Sequence, residues 1–380
     1  MLDEETPLQL ENHLRLRNDL STVQSSSIAD IWQAAPVGSK LRACIRFIDA
    51  RLGPGKLSSS EFVQFGFCEP QVPYEKIRTF AGKRAQQAFN KIYNDSTWYA
   101  LTKNKIAFES LMRGGGLQCP DTIAIYDRKG RGAGAPVLKN TSELEQFLLN
   151  PENHPVFCKP TTGLLSIGSF RIDSANQNTV VVNGHHNYPV SEVMNYIRGI
   201  SNKGYLFQKV LEPHSDFSEI GCTVISSVRF LVLNREEESS VHSCVLKIPA
   251  KGEVADNFWR AGSIIGSVDL DTGMIERAVL KGRNEIQLIK SDTSELSHIF
   301  KFRLPDFETA KNSILAASRF LAGVRVQSWD VALTTKGPVL LEVNFGGDLN
   351  LAQLSSGKGI MNESYCGVLR ESGYSKNLPA

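Results

Sequence analysis

Residues 325–348, RVQSWDVALTTKGPVLLEVNFGGD, contain two β-strand patterns, SWDVALT and PVLLEVNF, joined by the turn TKG. A hairpin centred on Lys336 places Asp330 directly opposite Glu342. Asn344 then follows Glu342 on the same face, because strand side chains alternate between the two faces of a sheet. The pattern therefore predicts that three oxygen-bearing side chains converge on one face of a hairpin.

Two carboxylates that face each other across a sheet repel, which costs stability. A bound hard cation would remove this penalty, and Mg²⁺ prefers carboxylate and amide oxygens completed by water and phosphate. A hairpin with an acidic face open to water is the alternative explanation. The spacing of Asp330, Glu342 and Asn344 does not by itself decide between the two.

The composition is that of an ordinary globular protein, with 41% hydrophobic and 22% charged residues in a chain of 380. A chain of this length can bury a large core and form two or three subdomains. The net charge of +2 gives no electrostatic reason to expect binding to nucleic acid or to an anionic membrane. We therefore expect small-molecule partners.

Seven cysteines are scattered along the chain, and none forms a C-x-x-C pair, which argues against a disulfide framework and a zinc site. The first residues, MLDEETPLQLENHLRLRN, are acidic and lack the apolar core of a signal peptide. No apolar run is long enough to span a bilayer. These features predict a cytoplasmic protein without a membrane span.

The chain is predicted to divide into three parts. Residues 1–95 read as a helical N-terminal region, with helices near 7–20, 27–35, 39–50 and 74–93. A mixed body follows over residues 96–370, and residues 371–380 form a loose tail. The first helix of the body is expected over residues 96–113.

Two lysines stand at the boundaries of predicted elements. Lys105 lies within the helix expected over residues 96–113, where Lys103 is a competing candidate. Lys159 ends the strand VFCKP and precedes a loop that contains two glycines. Because Phe157 and Pro160 flank Lys159, its ammonium group is expected to be partly desolvated and to need an anionic partner.

Arg229 lies in the strand pattern CTVISSVRFLVLN, where alternation places it on the same face as Leu231 and Leu233. A guanidinium group cannot lose its charge, so it must meet an anion there. The next strand, HSCVLKIPA, returns Lys247 to the same sheet. A buried salt bridge with a purely structural role is the alternative explanation for Arg229.

The hairpin sequences DVALT and GPVLLEVN, with the glycine pair that follows them, resemble the metal-binding hairpin of the ATP-grasp superfamily. The resemblance is closest to the sugar-transfer-associated ATP-grasp branch, which is related to α-L-glutamate ligases. It extends from about Glu61 to about Gly367. It implies an α+β ATP-grasp fold, in which two α+β subdomains grip ATP, with a lid over about residues 120–210 and a mainly helical N-terminal region.

The resemblance also implies roles for individual residues. Two sets would bind the nucleotide: the phosphate lysines are Lys105 and Lys159, and the adenine and ribose contacts are Gln208, Lys209, Val210, Leu211 and His214. The other sets would hold metal, carry catalysis and bind the acceptor substrate: the metal ligands are Asp330, Glu342 and Asn344, the catalytic cations are Arg229 and Lys247, and the acceptor residues are Asp256, Asn257 and Arg260.

These roles imply a carboxylate–amine ligase that depends on ATP and Mg²⁺, with two metal ions and Mn²⁺ as an alternative metal. The reaction would form an amide through an acyl phosphate, on an amino acid or a sugar-derived acid. A kinase that uses the same ATP site and a nucleotide-binding regulatory protein are the alternatives. The sequence leaves the substrates and the oligomeric state open.

Overall fold

The computed structural model describes residues 27–132, 134–163, 166–184, 186–200, 204–254, 256–283, 285–374 and 378–379. The helix expected near residues 7–20 lies outside these ranges, as does part of the tail expected over residues 371–380. The division into domains at residues 95 and 370 stays a prediction.

Five helices form the N-terminal part of the described chain: α1 Ile28–Ala34, α2 Lys40–Leu52, α3 Ser59–Gln64, α4 Tyr74–Arg78 and α5 Lys83–Tyr93. The single helix expected over residues 74–93 is wrong, because the structure has two. The buried carboxylate of Glu61 accepts a hydrogen bond from the backbone N–H of Lys83 at 2.7 Å, which satisfies a donor in the first turn of α5. Long-range contact thus starts a new helix where the local pattern suggested continuation.

The helix expected over residues 96–113 is also divided, into α6 Tyr99–Lys103 and α7 Lys105–Gly114. Asn104 separates them, and its side-chain oxygen accepts hydrogen bonds from the backbone N–H groups of Ile106 and Ala107 at 3.0 and 3.2 Å. Asn104 is therefore an N-cap, and Lys105 is the first residue of α7.

The first sheet, which we call the lid sheet, has seven strands in the order β2-β1-β7-β3-β4-β5-β6. Among the described strand pairs of this sheet, β1–β2 is parallel and the others are antiparallel. Helices α8 Thr141–Leu149 and α9 Val190–Ile200 contribute apolar side chains to its core. The strands are β1 Thr122–Tyr126, β2 Val137–Leu138, β3 Val156–Pro160, β4 Phe170–Asn176, β5 Thr179–Val182, β6 His186–Pro189 and β7 Tyr205–Lys209.

The second sheet, the body sheet, has seven antiparallel strands in the order β12-β11-β10-β9-β8-β13-β14. Helices α7 and α10 contribute to the core on one face, and α5, α11 and α12 to the core on the other. The remaining elements are β8 Val228–Asn234, β9 Ser239–Ile248, β10 Ile264–Val268, β11 Ile275–Lys281, β12 Ile286–Ile289, β13 Val326–Thr334, β14 Gly337–Phe345, α10 Phe307–Ser318, α11 Leu349–Ser356 and α12 Glu363–Glu371.

The hairpin β13–β14 contains an irregularity that the sequence did not indicate. Thr334 pairs with Gly337 across a two-residue turn, and the register then shifts at Leu341 so that Asp330 pairs with Glu342. The single centre expected for the hairpin is therefore wrong, although the predicted pairing of the two carboxylate residues is confirmed. A one-residue β-bulge between the turn and the acidic pair accounts for the difference.

Both ends of the segment that carries the lid sheet are attached to this hairpin. Ahead of β1, the carbonyl oxygen of Gln118 accepts a hydrogen bond from the backbone N–H of Leu340 at 2.9 Å. Beyond β7, the N–H of His214 donates to the carbonyl oxygen of Leu333 at 3.0 Å. The lid sheet therefore enters and leaves the body beside the same end of β13–β14.

All seven cysteines are buried and unpaired, as their scattered positions predicted. The helices within the described ranges include none that is both long and apolar enough to cross a membrane.

Candidate active site

A buried ion-pair network lies on one face of the body sheet. Neighbouring strands place Arg229 beside Asp330, and the guanidinium donates to both carboxylate oxygens, with Nε–Oδ1 and Nη2–Oδ2 distances of 2.7 and 2.6 Å. Lys247 donates from Nζ to Asp330 Oδ2 at 3.2 Å and to Asp256 Oδ1 at 3.1 Å. Arg229 thus meets an anion within the protein, as expected, and Lys247 lies on the same sheet. The contact is the buried salt bridge given above as the alternative explanation, so the catalytic role of Arg229 stays a prediction.

Burial alone would raise the pKa of Asp330, but the charges of Arg229 and Lys247 outweigh it and hold this pKa well below its usual range. For Arg229, burial lowers the pKa, while Asp330 raises it more strongly, so the guanidinium stays charged. Asp330 and Arg229 therefore stay charged at neutral pH. Removal of one partner from a buried ion pair strongly destabilises the folded protein, because the other charge is left uncompensated.

Glu342 lies opposite Asp330 on β14, and its side chain is one third exposed, whereas that of Asp330 is 6% exposed. Its Oε1 accepts a hydrogen bond from Asn344 Nδ2 at 3.3 Å, and its Oε2 lies 3.7 Å from Lys105 Nζ. The structure therefore brings the predicted metal ligands and one phosphate lysine together, and Lys105 Nζ also donates to the carbonyl oxygen of Gly163, which follows β3 of the lid sheet, at 3.3 Å.

Lys159 lies at the end of β3 in the lid sheet and is buried, with a residue exposure of 7%. Its ammonium group makes no hydrogen bond or ion pair with any residue that the structure describes. Burial is the main cause that lowers its pKa to about 8, and Lys105 adds to the lowering, whereas Glu109 and Glu342 oppose it. A buried cation without a close anion is the arrangement expected of a residue that waits for an anionic ligand.

Glu109 on α7 is a buried carboxylate that sequence reasoning missed. It accepts hydrogen bonds from Gln208 Nε2 at 2.6 Å and from the Thr122 hydroxyl at 2.7 Å, and Gln208 Nε2 also donates to the Thr122 oxygen at 3.0 Å. Because a carboxylate only accepts, this arrangement fixes the orientation of the Gln208 amide. Its carbonyl oxygen has no hydrogen-bond partner among the described residues.

The family of this chain follows from its match to a family model. The model described as "Sugar-transfer associated ATP-grasp" matches residues 84–366, which is well over half of the chain. The chain belongs to the sugar-transfer associated ATP-grasp family. The α+β ATP-grasp fold expected from the hairpin motif is confirmed with it.

Comparison with solved structures finds partial similarity to ATP-grasp ligases. VanG D-Ala:D-Ser ligase from Enterococcus faecalis matches with 12% identity and a TM-score of 0.44 over 73% of this chain and 64% of its own. D-alanine–D-alanine ligase from Bacillus anthracis matches with 13% identity and a TM-score of 0.40, over 76% and 74% of the two chains. This chain thus spans less than two thirds of the VanG ligase. A search of curated proteins finds no match.

The donor set of this ATP-grasp protein fits a magnesium ion at Glu342 and Asn344. The Glu342 side chain is one third exposed, and Asn344 offers an amide oxygen beside it. Both oxygens of Asp330 already accept hydrogen bonds from Arg229 and Lys247, so its predicted role as a metal ligand stays a prediction. Among the described residues, no group of three His, Cys, Asp or Glu side chains is arranged to hold a metal.

The hinge predicted for this family member runs from Gln208 to His214 and connects the two sheets. The Lys209 side chain is exposed and lies 3.5 Å from Asp121, while Val210 and Leu211 are partly exposed. The Nδ1 atom of His214 accepts a hydrogen bond from the N–H of Asp216 at 3.3 Å, which caps a short 3₁₀ helix. The nucleotide contacts assigned to these residues stay predictions.

The three residues predicted to bind the acceptor substrate have different surroundings. Asp256 lies in the network, because Lys247 donates to Oδ1 and the backbone N–H of Ser227 donates to Oδ2 at 2.8 Å. Asn257 accepts a hydrogen bond from the N–H of Trp259, which supports the alternative that it stabilises a turn. Arg260 forms an ion pair with Glu253.

Proposed function

We propose that this protein is an ATP-dependent carboxylate–amine ligase that forms an amide through an acyl phosphate. One observation carries the proposal: the buried cation Lys159 lies without a close anion but near enough to Lys105 and Glu342 to interact with their charges, and Asn344 lies beside Glu342. The two ammonium groups can pair with the phosphates of a nucleotide, and Glu342 and Asn344 can bind the metal ion that accompanies those phosphates. Membership of the ATP-grasp family supports the same ligand.

ATP would bind between the two sheets. Lys105 and Lys159 would neutralise its phosphates, and the carbonyl oxygen of Gln208, fixed in place by Glu109 and Thr122, would accept a hydrogen bond from the amino group of adenine. Glu342 and Asn344 would hold Mg²⁺, with Asp330 as a third candidate. When bound, Mg²⁺ supplies positive charge that stabilises the phosphates during transfer.

In the first step, a carboxylate oxygen of the substrate attacks the γ-phosphorus, the bond to the β-phosphate oxygen breaks, and ADP leaves. Arg229 and Lys247 would stabilise the charge on the moving phosphoryl group. In the second step, a neutral amine attacks the acyl carbon, phosphate leaves with the electrons of the C–O bond, and the nitrogen releases a proton to solvent. No side-chain nucleophile is required.

The test is ADP and phosphate release from Mg·ATP across pools of amino acids and sugar acids, with hydroxylamine added as a trap. We expect one pool to yield a hydroxamate together with equal amounts of ADP and phosphate. The hydroxamate would identify the carboxylate substrate. The Glu342→Gln protein serves as the control for contaminating ATPases.

Two outcomes would contradict this proposal. ADP formed with a stable phosphorylated product, and without hydroxamate, would show a kinase that transfers the phosphoryl group to a hydroxyl. Tight ATP binding with no turnover across all pools would instead indicate a nucleotide-binding regulatory protein.

The lowered pKa of Lys159 predicts that ATP binding depends on pH. The ammonium group of Lys159 loses its proton as the pH rises through about 8. Above that pH, most protein molecules carry a neutral Lys159, which cannot form an ion pair with phosphate. The apparent dissociation constant for ATP should therefore increase about tenfold between pH 7 and pH 9. Calorimetric titration with ATP at fixed ionic strength measures this change.

The Lys159→Met protein is expected to bind ATP more weakly at pH 7 and to lose most of the pH dependence. Lys139→Met, which changes an exposed lysine beside the same sheet, is the matched control and should retain both affinity and pH dependence. An equally steep pH dependence in the Lys159→Met protein would show that another group is responsible.

A further inference from the structure

Exposed apolar side chains are concentrated on the first two described helices, α1 and α2, and on the short segment between them. Of the thirteen large hydrophobic side chains exposed in the described part of the chain, seven lie between residues 28 and 52. Folded monomers rarely expose a contiguous apolar patch of this kind without a partner. The seven residues are Ile28, Trp32, Val37, Leu41, Ile45, Ile48 and Leu52.

Helix α2 is apolar on two faces. One face packs into the N-terminal core through residues such as Phe47 and Ala50. The other exposes Leu41 by 69%, Ile45 by 60% and Leu52 by 80%. A helix that is apolar on both sides is normally buried on both sides.

The exposed face has the spacing of a helix-packing seam. Leu41, Ile45, Ile48 and Leu52 follow one another at intervals of four, three and four residues, which is the pattern of the core positions in a coiled coil. The order Leu-Ile-Ile-Leu is the same in both directions. Two copies of α2 related by a two-fold axis between Ile45 and Ile48 would place each leucine on a leucine and each isoleucine on an isoleucine.

The charges beside the seam are also complementary. Arg42 and Asp49 are exposed and flank the seam on the same side, seven residues apart. In an antiparallel pair of helices, Arg42 of one copy lies next to Asp49 of the second copy, and the two-fold axis produces this contact twice. Flanking charge pairs of this kind determine the orientation of paired helices.

We propose that this face of α2 is the centre of a two-fold interface between two copies of the chain. Each of the seven residues is at least 42% exposed, and apolar surface of this kind is what the core of a homodimer interface buries. The residues proposed above to bind ATP lie on other elements.

The first test is sedimentation equilibrium of the full chain at about 10 µM, where an interface with a dissociation constant of about 1 µM is mostly occupied. We expect the mass of two chains. Ile45→Glu places a charge at the centre of the seam and should raise the dimer dissociation constant at least tenfold. Leu288→Glu, a similar change at an exposed site on β12, should have no effect.

A charge exchange tests the orientation. Arg42→Asp brings like charges together at both flanks, and so does Asp49→Arg; each should weaken the dimer. The double variant restores opposite charges and should recover the wild-type dissociation constant. All of these positions are exposed, and a thermal melt verifies that each variant is folded.

A wild-type chain that is monomeric at this concentration would overturn the proposal, and would indicate that another segment or another protein covers the face. A dimer that is unaffected by Ile45→Glu would overturn it as well, because its interface would lie elsewhere. A dimer weakened by Ile45→Glu but not rescued by the double charge exchange would reject the antiparallel two-fold arrangement.

Discussion

Replacement of Arg229 by alanine is expected to lower the free energy of unfolding by about 3–5 kcal/mol and to abolish ATP turnover. In the wild type, Arg229 donates to both carboxylate oxygens of Asp330. In the variant, Asp330 would remain buried, and Lys247 would be the one cationic partner left to it among the described residues. The pKa of Asp330 should rise towards its ordinary range. Chemical denaturation at pH 7 measures the loss of stability.

The pH dependence of this loss has a defined sign. In the wild type, the depressed pKa of Asp330 contributes stability that is present above the ordinary carboxyl pKa of about 4 and is lost as the pH falls below it. Removal of Arg229 takes away most of that contribution. The stability difference between wild type and variant should therefore decrease as the pH is lowered below about 4.

Two further variants separate stability from chemistry. Arg229→Lys keeps the charge but loses the two-point contact, so it should retain more stability than the alanine variant while turnover stays low. Arg229→Met combined with Asp330→Leu removes both partners and leaves Lys247 paired with Asp256. It should be more stable than Arg229→Ala alone. An alanine variant as stable as the wild type would contradict the role assigned to the ion pair.

Glu342→Gln is expected to reduce Mg²⁺-dependent ATP turnover by at least a factor of about 10³. A glutamine oxygen is neutral and is a poor ligand for Mg²⁺ compared with a carboxylate. The fold should be retained, with a stability change within about 0.5 kcal/mol, because the side chain is one third exposed and its ion pair with Lys105 is long at 3.7 Å. Turnover and the Mg²⁺ dependence of ATP binding are the measurements.

Glu276→Gln is the matched control, since Glu276 is an exposed glutamate on β11 of the same sheet. This variant should bind and turn over ATP like the wild type. Wild-type turnover in the Glu342→Gln protein would refute the metal assignment. Loss of turnover accompanied by unfolding would instead show that Glu342 has a structural role.

The hairpin shows how far the sequence could be read. Strand alternation and the acidic pair correctly predicted that Asp330 and Glu342 face each other. The turn and the bulge at Leu341 could not be predicted. Near the turn, the register differs by one residue from that of a hairpin centred on Lys336, and the bulge cancels this difference, so that Asp330 pairs with Glu342 in both cases. The correct pairing was therefore obtained from an incorrect centre.

Contacts between distant elements account for what was missed. Glu109 belongs to the amphipathic helix α7, and nothing in its local pattern distinguishes it from a solvated glutamate. Helix α7 belongs to the core of the body sheet, and only the folded arrangement brings the Glu109 side chain to Gln208 and Thr122 of the lid sheet. The break between α4 and α5 has the same origin, because Glu61 reaches Lys83 from another helix.

The attachment of the lid sheet to one end of the β13–β14 hairpin has a mechanical consequence. A segment whose entry and exit both lie beside one hairpin can rotate as a rigid body about a single hinge axis. Such a rotation would carry Lys159 towards or away from Glu342 while Asp330 and Arg229 keep their places in the body sheet. Opening for exchange of nucleotide would then require no rearrangement of the buried ion pairs.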